Sequence, residues 1–171
     1  MRSLLIALLL VPGMALAQTQ AEFQKKYDSL IGAIRKSNLP AVEAWIGKNA
    51  SKEFTYQDGR GKNYNRVAFI ESLRQQFLLL TRVKKSTFQI VRFQAKPKLI
   101  SVTIDSQISG VFSLDERGTP SAVELRNRTL DLWTLVGKEW KLRRKTTLQE
   151  RVTVDGKVYR VDELLSSIRR I

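Results

Sequence analysis

The chain has 171 residues, with 30 Lys+Arg against 16 Asp+Glu, a formal net charge of +14, and neither His nor Cys. That composition excludes His–Asp dyads, Cys nucleophiles, imidazole-rich zinc sites and disulfides, so core packing must hold the fold together. There is no glycine-rich phosphate loop, and neither a cofactor nor a metal is expected.

In chain order, residues 1–17 (MRSLLIALLLVPGMALA) read as a cleavable signal peptide. Arg2 opens it, an apolar stretch covers residues 4–11, and Ala15-Leu16-Ala17 puts small residues where a signal peptidase cuts. The stretch falls short of the roughly 20 apolar residues that span a bilayer. Gln18 is the expected mature start, and no Cys follows it for lipid attachment. The expected location is therefore periplasmic or secreted, and residues 18–171 have the size of one domain.

Phe23, Tyr27, Leu30, Ile31 and Ile34 recur at three and four, which predicts a helix with one apolar face. Asn38 is placed to cap a second helix, with Pro40 in its first turn and Val42, Trp45 and Ile46 apolar. Residues 53–57 (EFTYQ) predict a short strand, and Asp58-Gly59-Arg60-Gly61 a turn. Asn65 is placed to cap a third helix whose apolar face holds Phe69, Ile70, Leu73, Phe77 and Leu80. From Thr87 the apolar period becomes two. Phe88, Ile90 and Phe93 predict one strand; Ile100, Val102, Ile104, Ile108, Phe112 and Leu114 share a face of the next. Residues 115–118 turn the chain, and residues 122–136 and 139–154 predict a long hairpin about Val136-Gly137-Lys138. In its second arm, strict alternation points Trp140, Leu142, Leu148 and Val152 one way. It points Lys141, Arg143, Lys145 and Arg151 the other way, as a basic stripe. A turn at Asp155-Gly156 and a terminal helix over residues 161–171 complete the chain. Three helices followed by long antiparallel strands predict an α+β fold, with a curved sheet around the helices and a pocket at the open end.

This order of elements, with two stretches of sequence, resembles the nuclear transport factor 2-like superfamily, which includes SnoaL-like proteins and ketosteroid isomerase. The first stretch is Phe54-Thr55-Tyr56-Gln57-Asp58-Gly59-Arg60-Gly61, followed by Arg66-Val67-Ala68-Phe69-Ile70. The second is Arg128-Thr129-Leu130-Asp131-Leu132-Trp133, followed by Gly137-Lys138-Glu139-Trp140-Lys141-Leu142. The resemblance implies a cone-shaped α+β fold and, by analogy, a homodimer through the sheet. It also implies two catalytic carboxylates. Asp58 matches the general base that ends the short strand, and Asp131 the protonated acid of the oxyanion hole. The third member of that set is a Tyr on the first helix. The register puts Leu30 there, one turn past Tyr27.

The residues themselves leave alternatives open. Asp58 suits a turn, because Asp-Gly favours one for backbone reasons. Asp131, on an apolar strand face, needs a cation such as Arg126, Arg128 or Arg144. Tyr27, Tyr56, Arg128, Thr129 and Trp133 are the expected pocket residues. With the catalytic set incomplete, the leading expectation is a non-catalytic protein that binds a small apolar or amphipathic molecule. One alternative is an isomerase, dehydratase or hydrolase using Asp58 and Asp131. The other is an electrostatic binder of anionic envelope polymers through the basic stripe, which lacks the interleaved aromatics of a nucleic-acid groove.

Overall fold

The structure, a computed structural model, describes residues 12–113 and 119–159. The apolar stretch of the expected signal peptide, the turn at residues 115–118 with Leu114, and the expected helix over residues 161–171 lie outside the described residues.

Among the described residues, three helices and seven strands follow in the order α1 (Pro12–Arg35), α2 (Leu39–Asn49), β1 (Ala50–Gln57), β2 (Asn63–Asn65), α3 (Arg66–Leu79), β3 (Leu80–Lys96), β4 (Leu99–Ser113), β5 (Pro120–Val136), β6 (Glu139–Val154) and β7 (Lys157–Tyr159). All the described strands join one mixed sheet in the order β2-β1-β6-β5-β4-β3, with β7 hydrogen-bonded to β6. The mixing comes from β1, which runs parallel to β6. The remaining pairs are antiparallel.

Local chemistry accounts for the helix boundaries. The Asn38 side chain accepts from the amide of Ala41, and Pro40 sits in the first turn of α2. The Asn65 side chain accepts from the amide of Ala68 and starts α3. Helix α1 buries Phe23, Tyr27 and Ile31, spaced four apart, against the sheet. The β6–β7 turn uses Asp155 and Gly156, both at positive φ, as a tight two-residue hairpin requires.

Strand β3 begins at Leu80, straight out of α3, seven positions before the period-two pattern becomes visible at Thr87. The reason lies in its bulges. Against β4, pairing skips Thr81, Lys84 and Val91, and each extra residue resets the inward phase. The inward set is thus Leu80, Val83, Ser86, Phe88, Ile90 and Phe93, which no single alternation describes. The bulges also bend the strand and help the sheet curl around the helices. At one of them the backbones come so close that a Cβ on Gly110 would lie 2.2 Å from the carbonyl oxygen of Arg82. Strand β1 likewise starts earlier than residue 53, at Ala50, where it follows α2 directly.

Two buried apolar groups result. The larger sits beneath α1 and α2 and includes Phe23, Tyr27, Phe54, Ile100, Val102, Trp133 and Leu142. Trp133 is its centre, meeting Phe23 edge-on at 4.9 Å and Tyr27 and Trp45 at 6.1 and 6.3 Å. The smaller, at the other end of the sheet, holds Phe112, Val123, Val152 and Val154. Helix α3 buries no residue fully. Its apolar face, with Phe69, Leu73 and Phe77, looks onto a cavity lying between the helices and the sheet.

Candidate functional site

The cavity has a volume of about 320 Å³. Leu30 and Ile34 of α1, Val42 and Ile46 of α2, and the apolar face of α3 form its helical side. The sheet side alternates in character along the strands. Cross-strand pairing puts Asp131 beside Lys145, Thr129 beside Thr147, and Asn127 beside Glu150. These six polar side chains all line the cavity, as a belt between the two apolar groups.

Two bulges in β6 create this belt. Pairing with β5 runs Leu132↔Arg144 then Trp133↔Leu142, skipping Arg143. It runs Arg128↔Gln149 then Thr129↔Thr147, skipping Leu148. Two bulges invert the phase of the residues between them and restore it beyond. Lys145 and Thr147 therefore turn inward, and Leu148 turns out to 50% exposure. The basic stripe expected over Lys141, Arg143, Lys145 and Arg151 is corrected accordingly. Lys145 leaves it for the cavity, Lys141 pairs with Glu139, and Arg143 lies 3.8 Å from Glu53.

The centre of the site is a buried chain of polar contacts. Asp131 is 1% exposed. The Tyr27 hydroxyl donates to its Oδ2 at 2.8 Å, and the Trp133 indole N–H donates to the Tyr27 oxygen at 2.9 Å. The Lys145 Nζ lies 3.0 and 3.4 Å from the two carboxylate oxygens and donates to Thr129 Oγ1 at 3.1 Å. The cation that meets Asp131 is thus Lys145, in place of Arg126, Arg128 or Arg144. Tyr27 reaches Asp131 from one turn before the position that the resemblance marks for a tyrosine. Burial, and then the adjacent Asp131 carboxylate, push the Tyr27 phenol well above its ordinary pKa, so it stays a neutral donor. Both its oxygen and its proton are engaged within the protein.

Asp58 lies outside the cavity wall. Its carboxylate organises the β1–β2 turn instead. It accepts from the backbone amides of Arg60 and Lys62, both at 2.9 Å, from the Arg60 guanidinium at 3.0 Å, and from the Tyr64 hydroxyl at 3.2 Å. Burial raises its pKa, but the hydrogen bonds from Lys62 and Arg60 outweigh that and hold it below the ordinary value. The two carboxylates expected to share a site are therefore not brought together. Arg128 also lies off the cavity, on the outer sheet face, bonded through two nitrogens to Asp105 at 2.6 and 2.7 Å. Trp133 is fully buried behind Tyr27 and does not line the cavity. Tyr27, Tyr56 and Thr129 do line it, and the Tyr56 hydroxyl pairs with Thr147 Oγ1 at 3.1 Å.

Sequence reasoning missed Lys145, Asn127, Thr147 and Glu150. Glu150 keeps the phase of Leu142 and Val152, so its inward position was available from alternation. Burial, then repulsion from Asp58, raise its carboxyl pKa against the opposing pull of Arg60. Among the described residues no group of His, Cys, Asp and Glu is placed to hold a metal ion.

No protein-family profile matches the sequence, and a search of curated proteins finds no match. Solved structures do match. A conserved protein from Planctomyces limnophilus DSM 3776 is 11% identical, with a TM-score of 0.64 over 81% of this chain and 98% of that one. A type 2 hexachlorocyclohexane dehydrochlorinase (LinA) is 10% identical, with a TM-score of 0.62 over 81% and 89%. An NTF2-like protein from Cytophaga hutchinsonii ATCC 33406 is 12% identical, with a TM-score of 0.54 over 75% and 95%. At such identities the likeness concerns the fold, and the element order, the curled mixed sheet and the enclosed helices agree with it: this chain has the cone-shaped α+β fold of the NTF2-like, SnoaL-like proteins.

Proposed function

We propose that this chain is an exported, non-catalytic protein that holds a small apolar or amphipathic molecule in the cavity between its helices and its sheet. One observation carries the reading. The cavity is largely apolar, and its deepest carboxylate, Asp131, is already occupied by Lys145 and Tyr27. Both oxygens of that carboxylate are engaged by Lys145 and Tyr27 within the protein. What remains is a container with an apolar lining and a polar belt, the usual composition of a small-ligand site. The signal-peptide pattern of residues 1–17 supports the exported setting.

Native mass spectrometry of the protein purified from its own host tests the reading directly. An added mass that organic solvent releases is expected. No added mass, together with no binding of any medium-chain amphiphile in calorimetry, would refute it.

A second reading is proton-transfer chemistry at the cavity, and the observation in its favour is Glu150, a cavity-facing carboxyl with a raised pKa. One structural neighbour is a hexachlorocyclohexane dehydrochlorinase. Chloride release from hexachlorocyclohexane that disappears in Glu150→Gln would replace the binding reading with this one.

A further inference from the structure

The polar belt holds more hydrogen-bond protons than it spends within the protein. An ammonium carries three N–H donors. The Lys145 Nζ meets two side chains, Asp131 at 3.0 and 3.4 Å and Thr129 at 3.1 Å. The two Asp131 oxygens lie too close together to take two diverging N–H bonds, so one N–H serves both and one is left over. Hydroxyl protons are left over as well. The Tyr56 and Thr147 oxygens are 3.1 Å apart. Only one proton can lie between them, so the other hydroxyl keeps its own to give. Thr129 accepts from Lys145 and donates to no described residue. All four side chains line the cavity. Thr129 faces Thr147 across β5 and β6, and Lys145 stands on the same inward face of β6. The spare protons thus form one patch. The Lys145 side chain is 26% exposed and Tyr56 is half-buried, so the patch keeps surface toward the cavity. A hydroxyl can turn to either role, but an ammonium N–H can only donate. Polar groups left unmet in an apolar site are costly.

We propose that Lys145, with the Tyr56–Thr147 hydroxyl pair, is the head-group subsite of the cavity. It takes the carbonyl oxygen of an uncharged amphiphile, an ester or amide, whose apolar body lies against Phe69, Leu73 and Phe77 of α3. This rests on the proposed binding function and gives its ligand a chemical class. A carbonyl oxygen accepts and does not donate, which matches the spare protons. The charges of the wall select a neutral head. Lys145 and Asp131 cancel, and the exposed Glu150 also lines the cavity, so a carboxylate would be repelled. An ammonium would meet Lys145 and leave the spare N–H unmet. The subsite is separate from Tyr27, whose proton goes to Asp131 at 2.8 Å.

The test combines calorimetry and infrared difference spectroscopy of the intact protein at pH 7, with methyl octanoate as the probe and octanoate and octylammonium beside it. The ester carbonyl absorbs clear of the protein amide band, and a hydrogen bond lowers its frequency. The bound ester is expected to absorb below the same ester in hexane. Lys145→Met should weaken methyl octanoate binding at least about tenfold, as for a bond to a charged donor, and undo most of the shift. Lys145→Met/Asp131→Asn strands no carboxylate and should do the same, which separates loss of the donor from loss of the fold. Tyr56→Phe should undo part of the shift. A bound ester that absorbs as in hexane, or a shift that survives both Lys145 variants, overturns the subsite while the cavity reading stands. Tighter binding of octanoate or octylammonium than of the ester does the same. Failure of all three probes to bind overturns the cavity reading itself.

Discussion

Lys145→Met is the most searching perturbation of the buried belt. It leaves Asp131, 1% exposed, with the Tyr27 hydroxyl at 2.8 Å as its remaining partner. Met keeps the stem volume, so the packing change is small. Removing one partner of a buried ion pair typically costs about 3–5 kcal/mol. Two features put this pair at the lower end. Lys145 is 26% exposed at its side chain, and Tyr27 still bonds the carboxylate. A loss of about 3 kcal/mol is expected. For a domain of this size that lowers the thermal midpoint by about 6–12 °C. Adding Asp131→Asn should recover most of the loss, because an amide can accept from Tyr27 and carries no charge to strand. The double variant should then lie within about 1 kcal/mol of the parent. Urea unfolding of the parent, both single variants and the double variant at pH 7 gives the coupling directly. A Lys145→Met loss below about 1 kcal/mol, or no recovery in the double variant, would refute the claim that this pair anchors the belt.

Tyr27→Phe strands the Trp133 indole N–H and removes a donor from Asp131, so it should cost about 2–4 kcal/mol in urea unfolding; a loss near zero would mean that the contacts are not made. Gly110→Ala puts a Cβ 2.2 Å from the Arg82 carbonyl oxygen, a backbone atom that cannot swing away. It should cost about 3 kcal/mol or more, and a neutral result would refute the close approach at that bulge. Leu148→Lys should change stability by less than about 0.5 kcal/mol, because the bulge turns Leu148 outward. Strict alternation would bury that lysine and make the change severe. Asp58→Ala should destabilise by about 2 kcal/mol at pH 7, through loss of charge-assisted bonds in the turn. Because the folded Asp58 has a lowered pKa, its contribution is present above the ordinary Asp value of about 4 and fades as pH falls through the folded pKa. The gap between parent and variant should therefore close in acid and stay open at neutral pH.

Much of the fold was legible because its signals are local. Asn38 and Asn65 cap helices through side-chain bonds three residues away. Phe23, Tyr27 and Ile31 repeat at the helical period, and Gly137 and Asp155-Gly156 carry the positive φ that tight hairpins need. The site was legible only in part. Asp131 could be marked as a buried carboxylate in want of a cation, but the cation could not be named. Lys145 sits fourteen positions away on a strand whose apparent alternation points it outward.

The amino-acid sequence by itself determined the α+β class, the helix starts, the hairpins and the apolar face of α1, because caps, turns and periodicity act over a few residues. It also removed His and Cys chemistry outright. Only the tertiary structure decided which side chains share the cavity. Closing a long sheet around three helices requires bends, the bends are made by bulges at Arg143 and Leu148, and each bulge exchanges the inner and outer faces of the residues beyond it. That exchange brings Lys145 to Asp131. The turn at Asp58, held by its own amides and Arg60, keeps the other carboxylate out.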